Sequence, residues 1–210
     1  VGNEHFHAIG FGEVEHGEVC FIDVEGTYDA HWGDKLGINS DHLTLFQPDT
    51  AEDALDIAMK AASETYKDPK TGQVRGVYDA IFFDSIGALS FEAEQKATAR
   101  DAHVGLAARK LSTWIRGMTP LLRVSGTSLV ACNHVSYKIG VMFGSPETQP
   151  GGMKLQYAAA VICAFLAPQR IPKNIDKPVE AYVFRMRTSK NKTAPPQRKC
   201  EVQVRVDDFF

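Results

Sequence analysis

The sequence predicts an α/β fold with a mainly parallel central sheet, flanked by helices, and an antiparallel extension at its C-terminal end. Apolar, strand-like segments alternate with amphipathic segments over most of the chain, which favours a parallel sheet with right-handed crossovers. The last three strand-like segments follow one another without a helical segment between them, which is typical of hairpins. Because the 210 residues contain no internal repeat and no sign of a second domain, residues 1–210 are interpreted as one domain with a substantial core.

The first part of the chain predicts two strands, a helix and a turn. Apolar runs predict strands over Glu18–Val24, which ends in acids, and over Leu43–Gln47. A helix is predicted over Ala51–Tyr66, because Thr50 is a suitable N-cap and the acids that follow it interact favourably with the helix dipole. The next residues, Lys67–Gly76, are polar and rich in turn formers, so they are interpreted as an inserted turn.

The middle of the chain repeats the order strand, helix, strand. Tyr78–Asp84 is an apolar run that ends in an acid, which predicts a buried strand. His103–Val124 has helical spacing, and Thr127–Asn133 is apolar and strand-like again. The apolar positions of the predicted helix share one face: Leu106, Ala107, Leu111, Trp114, Ile115 and Met118.

A long loop, Lys138–Gly152, precedes the last three predicted strands. Its glycines and prolines exclude a helix or an interior strand over most of its length. Loops of this length inside an α/β core are often functional, although a solvated surface connection fits the composition equally well. The strands predicted after the loop are Tyr157–Leu166, Ala181–Thr188 and Lys199–Val206.

The composition is ordinary for a globular protein and limits the function classes. The net charge is −3, so any nucleic-acid binding must depend on a local basic surface. No uninterrupted apolar run approaches the roughly 20 residues that span a bilayer, so no membrane partner is expected. No signal peptide is recognisable and the first residue is Val1, which suggests a fragment or a processed product. The widely spaced cysteines predict buried free thiols in a reducing compartment, without metal-ligand spacing: Cys20, Cys132, Cys163 and Cys200.

Two of the predicted strands end in carboxylates. Ligands of open α/β sheets bind outside the carboxyl ends of the strands, so these acids are candidate site residues. Asp84 ends an apolar strand and is followed by Ser85, an arrangement that can hold the hydrated Mg²⁺ of a nucleoside triphosphate; caps and turn formers give the same pattern. Glu25 is a candidate base or water-orienting group, or equally a solvated turn carboxylate.

Five segments closely resemble the RecA family of recombinases. They occur in the family's order, and the resemblance extends from about residue 13 to the C-terminal end. It implies a RecA-like P-loop NTPase core, with ATP and Mg²⁺ as cofactors and a cytoplasmic location in a bacterial or phage-infected cell. The segments are F-I-D-V-E-G-T-Y-D, I-F-F-D-S-I-G-A-L, H-V-G-L-A-A-R-K-L-S, K-I-G-V-M-F-G-S-P-E-T-Q-P-G-G and S-K-N-K-T-A-P-P.

The resemblance also implies roles for residues of a nucleotide site. Glu25 matches the catalytic glutamate and Asp84 the Walker B aspartate that holds Mg²⁺ through water, with Ser85 beside it. His134 stands where the family usually has a γ-phosphate-sensing Gln; a polar histidine at a strand end is the alternative. Asp29 and Trp32 match the residues that contact and stack on adenine. Lys190 and Lys192 match the pair that reaches the phosphates of ATP on the neighbouring subunit. The alternative is that both are solvated loop lysines.

The DNA site implied by the resemblance consists of two loops and one helix face. The first loop is Phe91–Asp101, and Arg109, Ser112 and Arg116 recur on one side of the helix after it; an ordinary solvated face is the alternative. Ser136 stands where the family commonly has Arg, so one charged contact with a DNA phosphate is lost. The affinity for DNA should therefore depend somewhat less on salt concentration than in the family. The other implied contacts are Val104, Gly105, Tyr137, Lys138, Ile139, Gly151, Gly152 and Met153.

One expected motif is missing from the sequence. The 210 residues contain no P-loop of the form G-x-x-x-x-G-K-S/T, which would precede the strand at Glu18–Val24. Either this motif lies upstream of Val1, together with the family's amino-terminal polymerisation segment, or the chain is a relative with a deficient nucleotide site.

The predicted function is DNA recombination and repair. It comprises ATP-dependent assembly of a helical filament on single-stranded DNA, pairing with double-stranded DNA, strand exchange and DNA-dependent ATP hydrolysis. The alternatives are a non-hydrolysing mediator or structural DNA-binding protein, and a RecA-fold helicase motor.

Overall fold

The computed structural model describes residues 17–92, 105–137 and 147–206. These residues belong to two compact units. The first comprises the described residues up to 107 together with 116–150, and the second comprises 108–115 together with 151–206. Each unit contains one of the two larger sheets.

The first unit is built on a parallel sheet. Its strand order is β2-β1-β5-β6, and every neighbouring pair is parallel, as the alternation of strands and helices predicts. Its elements are β1 (Val19–Asp23), α1 (Ala30–Lys35), β2 (Leu43–Phe46), α2 (Ala51–Ser63), β3 (Thr65–Lys67), β4 (Val74–Gly76), β5 (Ala80–Asp84), α3 (Leu106–Ser125, in part), β6 (Ser128–Ala131), β7 (Ser136–Tyr137) and β8 (Glu147–Thr148).

Alternate residues of the central strands form the core of this unit. Cys20 and Ile22 on β1 and Ile81 and Phe83 on β5 are almost fully buried, in keeping with the period of two in a strand. Burial, reinforced by the charge of Glu64, raises the pKa of the Cys20 thiol to about 11. This thiol therefore stays protonated at neutral pH.

Helix α2 begins as predicted but ends earlier. The Thr50 side chain accepts a hydrogen bond from the Asp53 backbone N–H and caps the helix. The predicted extension to Tyr66 is wrong, because residues 65–67 pair with residues 74–76 as the antiparallel hairpin β3–β4. The insertion is thus a hairpin, and its turn is held by Asp68, which accepts from the backbone N–H groups of Lys70 and Thr71 at 2.7 and 3.1 Å.

Helix α3 carries the apolar face that its spacing predicts. Leu111, Trp114 and Met118 are buried, with no more than 5% of any of them exposed. The helix ends at Gly126, which has a φ of 75° and donates its backbone N–H to the Leu122 carbonyl. A left-handed residue at this position is the usual end of a helix and is least costly as glycine.

The second unit contains the predicted antiparallel extension. Its elements are α4 (Met153–Ala158), β9 (Val161–Ile171), β10 (Ala181–Asn191) and β11 (Lys199–Arg205), with strand order β11-β10-β9. The predicted start of a strand at Tyr157 is wrong, because residues 153–158 form α4 and the strand begins only at Val161. Arg185 links the three strands through hydrogen bonds to Glu201 and Gln169, each of 2.7 Å.

The prediction for the cysteines is correct for only one of them. All four are free, but Cys20 alone is buried, whereas Cys132, Cys163 and Cys200 are exposed. Membership of an apolar run does not show which side of a strand faces the core, and this explains the error. No helix in the described part of the chain has both the length and the apolar character needed to cross a bilayer.

Candidate functional site

The carboxyl ends of β1 and β5 meet at one edge of the parallel sheet. Asp23 and Asp84 are direct partners in the strand register, and the Val24 backbone N–H donates to the Asp84 carbonyl at 2.8 Å. Glu25 follows two residues after Asp23. The fold therefore brings three carboxylates to the edge where ligands of open α/β sheets bind.

Asp23 is a buried and hydrogen-bonded carboxylate. Only 1% of it is exposed, and it accepts hydrogen bonds from the Tyr28 backbone N–H at 2.8 Å and from the Gln47 amide at 3.0 Å. Burial acts to raise its pKa, but the hydrogen bonds outweigh burial and hold the pKa below the usual range. Asp23 therefore fixes the loop after β1 to the end of β2. Sequence reasoning assigned it no role, although its place at the end of an apolar strand was a usable signal.

Asp84 lies in a different electrostatic environment. Burial, followed by the negative charges of Glu25 and Asp23, raises the pKa of Asp84; a hydrogen bond from the Cys132 thiol and the proximity of His134 partly oppose this rise. Burial, followed by the negative charge of Asp84, the hydrogen bond to it and the charge of Glu25, also raises the pKa of the Cys132 thiol. Sequence reasoning did not identify Cys132 as part of the cluster.

The excess negative charge around Asp84 fits a divalent cation. A cation would favour the ionised carboxylate that burial and the neighbouring acids disfavour. No group of three or more His, Cys, Asp or Glu side chains in the described residues could enclose a metal ion. Mg²⁺ keeps several water ligands and commonly uses only one or two carboxylates together with substrate phosphates, so Asp84 is the residue that would hold it here.

Ser85 connects Glu25 to His134. Its hydroxyl is buried, donates to Glu25 Oε1 at 2.7 Å and lies 3.4 Å from His134 Nε2. His134 Nε2 is in turn 3.6 Å from Glu25 Oε1. The Ser85 hydroxyl also accepts from the Ala88 backbone N–H at 3.2 Å, which fixes its position, and the Asp84–Ser85 peptide bond is cis. The structure thus brings together four residues that the sequence predicted as a site.

A close approach by Gly87 positions the His134 ring. A Cβ atom at residue 87 would lie only 3.0 Å from the Cγ and Nδ1 atoms of the imidazole, which is too close without movement of the ring. The His134 backbone N–H donates to the Asn133 side chain at 2.9 Å. Glycine at residue 87 therefore allows the imidazole to lie against the backbone beside Ser85 and Glu25.

Asp29 and Trp32 lie at the start of α1. Asp29 is the N-cap of the helix, and its Oδ1 atom accepts from the Trp32 backbone N–H at 2.9 Å. The indole is 37% exposed, and Lys35 Nζ lies 6.0 Å from the ring centroid. An exposed ring offers a surface for stacking, and the roles of both residues toward adenine stay predictions.

Lys190 and Lys192 contact the C-terminal end of α4 within the second unit. Lys190 Nζ donates to the Gln156 carbonyl at 2.6 Å and to the Tyr157 carbonyl at 3.0 Å. Lys192 Nζ donates to the same Tyr157 carbonyl at 3.3 Å. Both ammonium groups have backbone acceptors, although Lys192 is exposed, and the role of the pair toward a phosphate stays a prediction.

The predicted DNA contacts are only partly within the described residues. Val104, Lys138, Ile139 and residues 93–101 of the first loop lie outside them, and of Ser136 and Tyr137 only the backbone, in β7, is described. Arg109 and Arg116 are exposed on α3, and the Ser112 hydroxyl donates to the Ala108 carbonyl at 2.6 Å. The remaining predicted contacts lie just before or at the start of a helix: Gly105, Gly151, Gly152 and Met153.

Comparison with known proteins identifies the family. The family model of the RecA N-terminal domain matches residues 5–208. The chain belongs to the RecA family. Among its relatives, Protein RecA of Bacillus pumilus (strain SAFR-032) is 35% identical over 198 residues, which are 94% of this chain and 54% of the relative. Protein RecA of Treponema denticola is 36% identical over 200 residues, with 94% and 45% covered. Protein RecA of Colwellia psychrerythraea is 42% identical over 191 residues, with 90% and 51% covered.

These matches confirm the resemblance to RecA and the RecA-like α/β fold. This RecA-family chain spans about half the length of the curated relatives that it matches. The clustered Glu25, Asp84, Ser85 and His134 lie in the first unit, and Lys190 and Lys192 lie in the second.

Proposed function

We propose that this protein is a recombinase that hydrolyses ATP while it is assembled on single-stranded DNA. The observation that carries the proposal is the cluster at the ends of β1 and β5, where the Ser85 hydroxyl contacts both Glu25 and His134. Beside it lies Asp84, whose pKa is raised by burial and by the neighbouring carboxylates. In a chain of the RecA family, this arrangement supplies candidates for the cation-holding, water-orienting and phosphate-contacting groups of phosphoryl transfer to water.

Each residue of the cluster has a distinct proposed role. When bound, Mg²⁺ and ATP supply the phosphoryl group and the charge that polarises it. Asp84 holds the hydrated cation, and Glu25 orients the attacking water and accepts its proton. Ser85 keeps Glu25 in position through the hydrogen bond of 2.7 Å. His134 donates a hydrogen bond to the terminal phosphate, a role that an imidazole N–H can fill in place of an amide.

The DNA-binding part of the proposal depends on exposed cations and glycines. Arg109 and Arg116 present guanidinium groups on the surface of α3, which suit contact with a phosphate backbone. Gly151 and Gly152 have φ values of 89° and 77°, so the backbone there adopts a conformation that other residues rarely reach. Backbone N–H groups in such loops can approach phosphates closely. Pairing with double-stranded DNA and strand exchange complete the proposed activity.

A non-hydrolysing DNA-binding protein is the second candidate. Such a protein would use the exposed Arg109 and Arg116 to bind DNA without a catalytic role for Glu25. The two candidates differ in DNA-stimulated ATP turnover and can be separated by a single carboxylate substitution.

The test is ATP hydrolysis by the full-length protein with and without single-stranded DNA. Glu25→Gln should lower the stimulated rate by about 10²- to 10⁴-fold, because it removes the proposed base, while binding to DNA persists. Glu180→Gln is a matched control, since this glutamate is exposed and only its backbone has described hydrogen bonds. A stimulated rate that Glu25→Gln leaves unchanged, or no stimulated rate in the parent protein, would contradict the recombinase proposal and favour the second candidate.

A further inference from the structure

The β3–β4 hairpin lies outside the five segments that resemble the RecA family, and the nucleotide cluster and the predicted DNA loops do not include it. It follows α2 and ends shortly before the first residue of β5, whereas Asp84 is the last residue of that strand. Roughly 13 Å of strand separates Ala80 from Asp84. The hairpin therefore lies at the edge of the parallel sheet opposite to the one from which the loops after β5 and β6 leave.

Backbone hydrogen bonds fix the hairpin at its base and at its turn. At the base, the Val77 N–H donates to the Glu64 carbonyl at 2.9 Å. At the turn, the Asp68 N–H donates to the Gln73 carbonyl at 2.8 Å, and the Gly72 N–H donates to the Asp68 carbonyl at 2.7 Å. The ribbon is thus ordered before a partner arrives, so binding does not have to offset the entropy of ordering it.

The strand register places a cation on each face of the ribbon. Lys67 is paired with Val74, and the next pair is Arg75 with Tyr66. Neighbouring pairs of an antiparallel ribbon point to opposite faces, so Lys67 and Arg75 lie on different faces. Both side chains are exposed. Arg75 Nε lies 3.9 Å from Asp68 Oδ2, and the Arg75 side chain remains 57% exposed.

The exposed charge of the hairpin is positive in a chain whose net charge is −3. Its exposed charged side chains are Lys67, Lys70 and Arg75. Its one acid, Asp68, has only 13% of its side chain exposed and accepts from the backbone N–H of Lys70 at 2.7 Å. A protein of negative net charge binds nucleic acid through a local basic surface, and the hairpin provides one.

We propose that the β3–β4 hairpin enters the major groove of duplex DNA and contacts phosphates on both sides of the groove. The major groove is about 12 Å wide and admits a two-stranded β-ribbon. Both of its walls carry phosphates, which matches a ribbon with a cation on each face, whereas a single strand would follow only one face. Tyr66, which is 46% exposed, adds a hydroxyl that can donate to a phosphate.

This contact is independent of DNA sequence, because Lys and Arg at phosphates position a protein without reading base edges. It also needs neither ATP nor Glu25, since the hairpin and the nucleotide cluster lie at opposite edges of the sheet. A duplex held here would supply the double-stranded DNA of the proposed pairing reaction, and only this link rests on the proposed function.

The test is binding of a fluorescent mixed-sequence duplex to the full-length protein without nucleotide. Lys67→Gln and Arg75→Gln should each weaken the affinity by about five- to tenfold at about 0.1 M salt, because each removes one phosphate contact and about 0.9 from the salt slope. Arg75→Lys should keep most of the affinity, since an ammonium group also contacts phosphate. Lys199→Gln, at an exposed lysine of β11, is the matched control and should leave the affinity unchanged.

Single-stranded DNA of the same length and polyglutamate are the comparison probes. The affinity for single-stranded DNA should stay at the parent value in Lys67→Gln and Arg75→Gln, and thermal unfolding of both variants separates a lost contact from a lost fold. Unchanged duplex affinity and salt slope in the double variant would overturn the proposal.

Two other outcomes would also overturn the groove assignment. An equal loss of affinity for single-stranded DNA would show that the ribbon follows one strand, and a loss confined to polyglutamate would indicate an acidic protein as the partner. Glu25→Gln should leave duplex binding at the parent value. Failure of the hairpin site can therefore be distinguished from failure of the proposed ATP hydrolysis.

Discussion

The ends of β1 and β5 place two aspartates side by side, but the pKa values of the two carboxyl groups are shifted in opposite directions. Asp23 and Asp84 are partners in the strand register, yet the pKa of Asp23 is lowered and that of Asp84 is raised. Both carboxyl groups experience the effect of burial, so burial alone does not explain the difference. The difference lies in what surrounds each group: donors around Asp23, and other carboxylates around Asp84.

This difference separates a carboxylate that is stabilised by hydrogen-bond donors from one that a cation would stabilise. Asp23 Oδ2 accepts from the Tyr28 backbone and from Gln47, so these hydrogen bonds favour the ionised carboxylate within the fold. Asp84 is destabilised by Glu25 and Asp23 and gains from a cation that arrives from solution. Two acids in equivalent positions of neighbouring strands can therefore have unrelated purposes.

The largest expected effect comes from neutralising Asp23. Asp23→Asn should lower the free energy of unfolding at pH 7 by about 1.5–3 kcal/mol, because it removes charge-assisted hydrogen bonds from a buried site. The folded pKa lies below the unfolded value of about 3.9, so the stabilisation is present above pH 4 and is lost as the pH falls through the folded value. Urea denaturation at several pH values measures this. A loss that is equally large at pH 3 would show that the ionised form is not responsible.

A smaller loss is expected when one donor to Asp23 is removed. Gln47→Met keeps the side-chain length and deletes the amide that donates at 3.0 Å, so it should cost about 1 kcal/mol of unfolding free energy. Gln73→Met, at an exposed glutamine of the β3–β4 hairpin, is the control and should be nearly neutral. Equal effects of the two substitutions would refute the proposed support of Asp23 by Gln47.

Neutralising Asp84 should have the opposite effect on the free energy of unfolding. Because its folded pKa lies above the unfolded value of about 3.9, protonation favours the folded state, and the ionised group costs stability once the pH exceeds the folded value. Asp84→Asn should therefore raise the free energy of unfolding at pH 7 by up to about 1 kcal/mol, a modest gain because the site is partly open to solvent. The gain should vanish as the pH falls below the unfolded value.

The Asp84 prediction can be checked by thermal and urea denaturation, with Asp176→Asn at an exposed turn as the control. Added Mg²⁺ should stabilise the parent protein more than Asp84→Asn, since the cation relieves repulsion that the variant no longer has. Destabilisation of Asp84→Asn at pH 7 would place Asp84 in the same class as Asp23.

The smallest expected effect concerns His134. Histidine is the side chain that changes charge near physiological pH, so ATP-dependent binding to DNA should vary about two- to threefold more between pH 6 and pH 8 than in His134→Gln. A binding titration of the full-length protein at the two pH values measures this. Identical pH profiles of the two proteins would rule out a sensing role for the imidazole.

Much of the parallel sheet could be predicted from the sequence, because apolar runs that end in acids are local signals. Asp84, Ser85 and Glu25 were identified in this way, and the structure brings them together with His134. The role of Asp23 was missed because its partner Gln47 lies 24 residues away and only the pairing of β1 with β2 brings them together. The α4 helix was missed for a similar reason: its C-terminal cap comes from lysines more than 30 residues further along the chain.

The close contact between Gly87 and His134 has a consequence for the evolution of the site. A side chain at residue 87 would displace the ring, since even a methyl group lies 3.0 Å from two of its atoms. The longer and more flexible side chain of Gln could bend away from the same methyl group. Relatives that carry histidine at the equivalent of residue 134 should therefore retain glycine at the equivalent of residue 87, whereas those with Gln are free to vary there, so the two columns of a family alignment should change together.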